Sequence, residues 1–323
     1  MPIAAPTYIE VQSKSILNKV EGMHFRWSIN PYRGCAHGCH YCFARSTHFY
    51  FDLNAGSDFT SIIFVKVNAP QVLRRELSRP AWRREQVALG TATDPYQPVE
   101  GRYRLTRGIL EALRDYRTPV GIVTKGTMIL RDLDILADMA RRGRATVCFS
   151  VTTLDRDLWR RLEPGTAPPQ QRLRALERLA AAGVNAGVLL APIVPGLTAT
   201  PANLEAVVRA AADHGARFPG ANVLHLRPGV REHFLTFLEH AYPHLLEGYG
   251  RLYRGKYASE RYRTGVEELV QVFRERFGLV GRDAPFPSEQ APVQLALPWD
   301  GTAVEASAPQ AQSPADVGGC ATA

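Results

Sequence analysis

The feature that most constrains this chain is a repeated switch between strand-like and helix-like patterns. Short apolar runs of strand length lie at residues 24–30, 86–92, 120–124, 145–151, 185–191 and 221–226. The stretches 69–79, 105–116, 130–142, 169–182 and 201–214 read as helices of ordinary length. A strand that reaches its neighbour through a helical crossover runs parallel to it, so this alternation predicts a parallel sheet built from βα units. Six such strands suit an open or partial barrel, whereas a closed one needs eight. The run SIIFVKV at 61–67 is also strand-like but falls outside the alternation. The expected fold is therefore α/β, a partial (β/α)6 TIM-like barrel. In parallel α/β folds ligands bind outside the carboxyl ends of the strands, so the residues just after each strand are the candidate site.

The flanks read differently. Residues 1–23 form an extended leader, 24–230 the core, and 231–282 a C-terminal helical extension rich in Tyr and Arg. From residue 283 to 323 the chain turns to Pro, Ala, Gln, Ser and Gly, a composition that predicts a disordered tail. Hydrophobic residues make up 45% of the 323, enough for a sizeable core. There is no uninterrupted apolar stretch of roughly 18 residues to span a membrane. Residues 1–12 lack a basic region followed by an apolar run, so no signal peptide is expected and a cytoplasmic location is.

Three of the five cysteines, Cys35, Cys39 and Cys42, fall within eight residues, while Cys148 and Cys320 stand alone. That is a poor disulfide framework and a good metal site in a reducing compartment. The segment reads Asn30-Pro-Tyr-Arg-Gly-Cys-Ala-His-Gly-Cys-His-Tyr-Cys-Phe-Ala-Arg45. Three thiolates on one loop can hold three irons of a cubane cluster and leave the fourth open for chemistry. The competing reading is a zinc site completed by His37 or His40. Cys148 and Ser150 should face the same side of their strand, where a buried cysteine acting as a small hydrophobe is the simpler role.

The spacing C-x3-C-x2-C, with aromatic Tyr41 before the last cysteine, resembles the signature of the radical S-adenosylmethionine (SAM) superfamily. YRGCAHGCHYCFAR, IFVKVNAP, GTATDPYQPVE and VTKG together resemble its spore photoproduct lyase-like branch, over roughly residues 15–280. The resemblance implies a barrel of the radical SAM type, with a 4Fe-4S cluster on Cys35, Cys39 and Cys42. It implies that SAM is cleaved reductively to a 5′-deoxyadenosyl radical that abstracts hydrogen from a substrate. It also implies an external electron donor of the flavodoxin or ferredoxin kind. By the same resemblance Tyr41 and Phe43 lie against adenine, and Thr93 and Asp94 stand where the family often carries Gly-Gly-Glu for the SAM amino group. Lys125 and Ser150, at the next two strand ends, are candidates for the SAM carboxylate or ribose, and Arg227 for the adenosine side or the substrate. Ala92 occupies the position at which spore photoproduct lyase has its hydrogen-donating cysteine, so the lesion-repair mechanism does not carry over intact.

The substrate is less legible. A net charge of +8 favours polyanions, and nucleic acid is a candidate. Two basic-aromatic stretches bear on it: Arg74, Arg75, Arg79, Trp82, Arg83 and Arg84; and Tyr249, Arg251, Tyr253, Arg254, Lys256, Tyr257, Arg261, Tyr262 and Arg263. Each can equally be an amphipathic helix with a solvated Arg face and packed rings. Alternatives to a lyase-like enzyme are an activase that makes a glycyl radical on a partner protein, and a non-catalytic iron–sulfur or zinc protein that binds nucleic acid.

Overall fold

In the computed structural model of the chain, residues 5–23 and 25–279 are described; the expected tail, 283–323, lies outside them. The strands in chain order are β1 (Thr7–Val11), β2 (Asn18–Lys19), β3 (Trp27–Ile29), β4 (Tyr32–Arg33), β5 (Ile62–Lys66), β6 (Val87–Leu89), β7 (Val120–Thr124), β8 (Ala145–Ser150), β9 (Asn185–Ile193) and β10 (Pro219–Val223). They form two sheets, ordered β10-β9-β8-β7-β6-β3-β2 and β1-β5-β4. In the larger sheet β3, β6, β7, β8, β9 and β10 are all parallel neighbours, with β2 antiparallel on the outer edge. This is the open six-stranded α/β fold expected.

The strands are apolar because both of their faces are covered. Ile122, Val147, Phe149, Val188 and Leu190 are fully buried, packed against helices that include Leu105–Asp115, Leu133–Ala140, Pro169–Ala181 and Pro201–Asp213. The start of the last of these is written in its sequence: Thr200 caps it by accepting from Asn203 N at 3.3 Å, and Pro201 fills the first turn.

SIIFVKV does lie outside the barrel sheet, as β5 between β1 and β4. The expected leader is built in: β1 pairs with β5 and β2 with β3, and Ile16 is fully buried. Two elements in particular differ from the sequence reading. The helix placed at 130–142 opens as a 3-10 turn, Thr127–Asp132, before becoming α-helical. The final strand lies at Pro219–Val223 rather than 221–226. The aromatic stretch after the cysteines is a 3-10 helix, Phe43–Phe51. The C-terminal helices are Val230–Ala241, Leu246–Leu252 and Glu260–Arg276. Among the described residues no helix is long and apolar enough to cross a membrane.

Candidate active site at the carboxyl ends of the strands

The cysteine loop leaves the sheet at β3 and is sewn to the neighbouring strand ends by buried polar side chains. Asn30 accepts from Ala92 N at 2.7 Å and donates to Thr91 Oγ1 at 3.1 Å, locking the end of β3 to the end of β6. Gly90 makes that turn possible: its φ is +95°, and a Cβ there would lie 2.2 Å from the carbonyl oxygen of Val123. Gln97, fully buried, accepts from Ala36 N at 3.0 Å and donates to Gly34 O and Thr93 Oγ1 at 3.0 and 2.8 Å. On the opposite side His40 N donates to Leu162 O and Gly165 N to His37 O, both at 3.0 Å. A Cβ on Gly165 would meet the Ala36 carbonyl oxygen at 2.4 Å, so the two loops touch backbone to backbone.

Thr93 and Asp94 stand at the end of β6, but their polar atoms are engaged within the protein. The Thr93 hydroxyl donates to Gly34 O at 2.7 Å. Asp94 accepts from Thr124 Oγ1 at 2.6 Å, Lys125 N at 2.7 Å and Tyr96 N at 2.9 Å, and faces His37 Nδ1 at 3.3 Å. Burial would raise the Asp94 carboxyl, but His37 and the hydrogen bonds from Thr124 and Lys125 outweigh it and hold the pKa at about 2. The carboxylate thus fastens the cysteine loop, the end of β6 and the end of β7 to one another.

Lys125 and Ser150 differ from that pair. The half-buried Lys125 ammonium lies 5.6 Å from the centre of the Tyr41 ring and has no hydrogen bond or ion pair among the described residues. Ser150 is buried, its carbonyl accepts from Arg172 at 2.8 Å, and its hydroxyl has no partner among the described residues. Tyr41 is buried, and its phenol donates to Glu163. Phe43 is 42% exposed and tilts toward His225 at 6.0 Å. Arg227 is exposed at the start of the following loop.

Cys35, Cys39 and Cys42 are reduced thiols in one loop, the first two buried and the third more open. Burial pushes the Cys35 thiol up and the Cys39 thiol to about 12, against the opposing pull of Lys125 on Cys39, so metal binding here must displace protons. A zinc ion requires its ligands to converge on one point, and among the described residues no three His, Cys, Asp or Glu side chains do so. The histidines proposed to complete such a site face elsewhere, His37 toward Asp94 and His40 toward His233 at 3.3 Å. A cubane cluster asks each thiolate for a different iron rather than for convergence on one point, and one loop carrying three free cysteines supplies three such thiolates.

Several residues of this site were not legible in the sequence. Glu163 and Arg172, both fully buried, pair at 2.5 Å beneath Tyr41, and Thr152 donates to the same carboxylate at 3.0 Å. Burial alone would raise the Glu163 carboxyl, yet Arg172 and Lys125 hold it at about 2. Arg45, three residues past the last cysteine, folds back under the loop. It donates to the carbonyls of Cys39, Gly38, Ala55 and Gly56 at 2.8–3.0 Å. Cys148 is buried within β8, as a small core residue would be.

The basic-aromatic stretches divide. Trp82 packs edge-on against Trp27 at 5.5 Å, and Arg74 pairs with Asp115 at 2.8 Å. Tyr249 and Tyr253 are buried and stacked at 5.4 Å, with hydroxyls on Pro195 O and Leu224 O. These rings are core. Tyr257 is not: it is 48% exposed, 5.8 Å from His225, with Lys256 and Arg263 over its ring at 5.0 and 5.5 Å. Phe43, His225 and Tyr257 therefore form a row of rings that starts next to Cys42.

Comparison with known proteins places this geometry in context. The family model "Radical SAM superfamily" matches residues 29–210. An uncharacterized protein of Mycobacterium tuberculosis is 44% identical over 299 residues, covering 90% of this chain and 88% of the relative. A radical SAM Nalpha-GlyT isomerase of Pseudomonas phage M6 is 28% identical over 171 residues, 52% of this chain and 33% of that one. Among solved structures, a spore photoproduct lyase variant superposes with a TM-score of 0.63 at 18% identity, over 83% of this chain and 78% of the other. Another lyase structure, with bound AdoMet and dinucleoside spore photoproduct, gives 0.62 at 19% identity over the same shares of the two chains. At such identities the shared feature is the fold.

Proposed function

Because the chain belongs to the radical SAM superfamily, we propose that it is an enzyme that holds a 4Fe-4S cluster on Cys35, Cys39 and Cys42 and cleaves SAM reductively. When bound, the cluster supplies the electron that breaks the sulfonium C–S bond, leaving a 5′-deoxyadenosyl radical to take hydrogen from the substrate. The observation that carries the reading is the pair of unpartnered polar groups beside the cysteine loop. Lys125 and Ser150 end adjacent parallel strands, β7 and β8, and among the described residues neither the ammonium nor the hydroxyl has a hydrogen-bond partner. An ammonium and a hydroxyl at that place suit the SAM carboxylate. Thr93 and Asp94 act by fixing the end of β6 against the loop, since their own atoms are taken. Tyr41 and Phe43 supply apolar surface for adenine, with Arg227 at the rim. An external flavodoxin- or ferredoxin-like donor supplies the electron.

Nucleic acid is the substrate class best supported. The row Phe43, His225 and Tyr257, flanked by Lys256 and Arg263, offers stacking faces and cations together. Burial, then the charges of Arg227 and Lys256, lower the His225 pKa. The absence of a cysteine at Ala92 argues against lesion repair by the lyase route.

The test is anaerobic reconstitution of wild type and Cys39→Ala. Wild type should take up about four irons per chain and release 5′-deoxyadenosine from SAM after reduction, and Cys39→Ala should lose both; a fully active variant contradicts the ligand assignment. Crosslinking to single-stranded nucleic acid that falls steeply with salt supports the substrate class, and crosslinking unaffected by Tyr257→Ala argues against it.

A further inference from the structure

The Arg45 guanidinium is 1% exposed. Its four hydrogen bonds all run to main-chain carbonyls, two of them in the cysteine loop itself, at Gly38 and Cys39. It lies over the ring of Phe59 at 5.1 Å. Among the described residues no carboxylate is one of its partners. By contrast, the other fully buried arginine, Arg172, has the Glu163 carboxylate at 2.5 Å. A buried cation without a counter-anion is costly, and carbonyl dipoles offset only part of that cost. The guanidinium sits inside the loop that carries Cys35, Cys39 and Cys42, bonded to the Cys39 carbonyl itself. As protonated thiols these residues give the guanidinium no negative charge. Ligating a cluster, they do.

We propose that Arg45 is the built-in counter-charge of the iron–sulfur site, a positioning residue that stabilises the cluster's more negative, reduced form and so raises its midpoint potential. This rests on the reading that Cys35, Cys39 and Cys42 hold the cluster. The physical basis is that cluster potential follows the net charge and hydrogen bonding around it, and that a fixed charge acts strongly at a site shielded from water. The guanidinium fork also holds the carbonyls of Gly38 and Cys39 to those of Ala55 and Gly56. A purely mechanical clamp would therefore share the geometry but not the dependence on charge.

The experiment compares wild type, Arg45→Gln and Arg45→Lys, each reconstituted anaerobically and measured without SAM. The readouts are iron per chain and the midpoint potential of the cluster, followed by electron paramagnetic resonance during redox titration. Wild type is the control for the parent reading: if it takes no iron–sulfur cluster, that reading fails and Arg45 is not at issue. Given a loaded wild type, Arg45→Gln should have a more negative potential or fail to retain the cluster. Arg45→Lys, which keeps the charge but not the fork, should load and lie close to wild type. Equal potentials in all three proteins overturn the proposal. So does a lysine variant that loses as much as the glutamine variant, in potential or in loading, because shape and not charge would then be what matters.

Discussion

Glu163 and Arg172 form an ion pair at 2.5 Å with both side chains fully buried, and the Tyr41 phenol from the cysteine loop donates to the same carboxylate. Removing one partner leaves an uncompensated buried charge, at a cost of about 3–5 kcal/mol. Arg172→Met should therefore lower the urea midpoint sharply, while the double variant Glu163→Gln with Arg172→Met should recover part of the loss. A single variant as stable as wild type would show that the pair does not anchor the loop.

Lys125 tests the SAM side of the site. Its ammonium is unpartnered beside the Tyr41 ring, and a charge-assisted hydrogen bond contributes about 1.5–3 kcal/mol. Lys125→Met should weaken SAM binding by roughly 10- to 100-fold with iron content unchanged, as read by calorimetry on the reconstituted protein. Unaltered affinity would remove Lys125 from the pocket.

Lys66 gives the fold a distinctive alkaline response. Burial, then the nearby charge of Arg33, bring its pKa from 10.5 to about 8. Below pH 8 both folded and unfolded chains carry the proton, and the fold bears the full cost of the buried charge. Between pH 8 and 10.5 the folded chain releases its proton first, so that cost fades as pH rises. Lys66→Met should be more stable than wild type at pH 7 by about 1–2 kcal/mol, allowing for the partial solvent contact of the side chain. The gap between the two should narrow from pH 8 to 10.5 in urea titrations; a constant gap would contradict the assignment.

The barrel was legible because its strands are buried on both faces and bounded by helix signals. Residues 120–124 lie in the structure as read. The last strand was displaced for a physical reason: Leu224 and Leu226 are buried in the core but continue past the paired segment, and an apolar run does not record where pairing ends. The cysteine spacing announced the loop. What holds it did not show. Gln97 and Glu163 meet the loop from 61 and 122 residues away, with Arg172 behind Glu163, and no spacing rule links a buried carboxylate to a ring on another element. Thr93 and Asp94 were found by position at a strand end. Their hydrogen bonds give them a fastening role that position alone could not distinguish from ligand contact.

Reductive SAM cleavage at this loop and the strand ends around it is the proposal on which the other roles depend. The direct measurement is 5′-deoxyadenosine released when SAM is added to anaerobically reconstituted, reduced protein, with iron and zinc quantified in the same sample. About four irons per chain are expected, with product that requires reductant. Zinc at about one per chain with no product, or a fully loaded and reduced cluster that leaves SAM intact, would contradict the proposal.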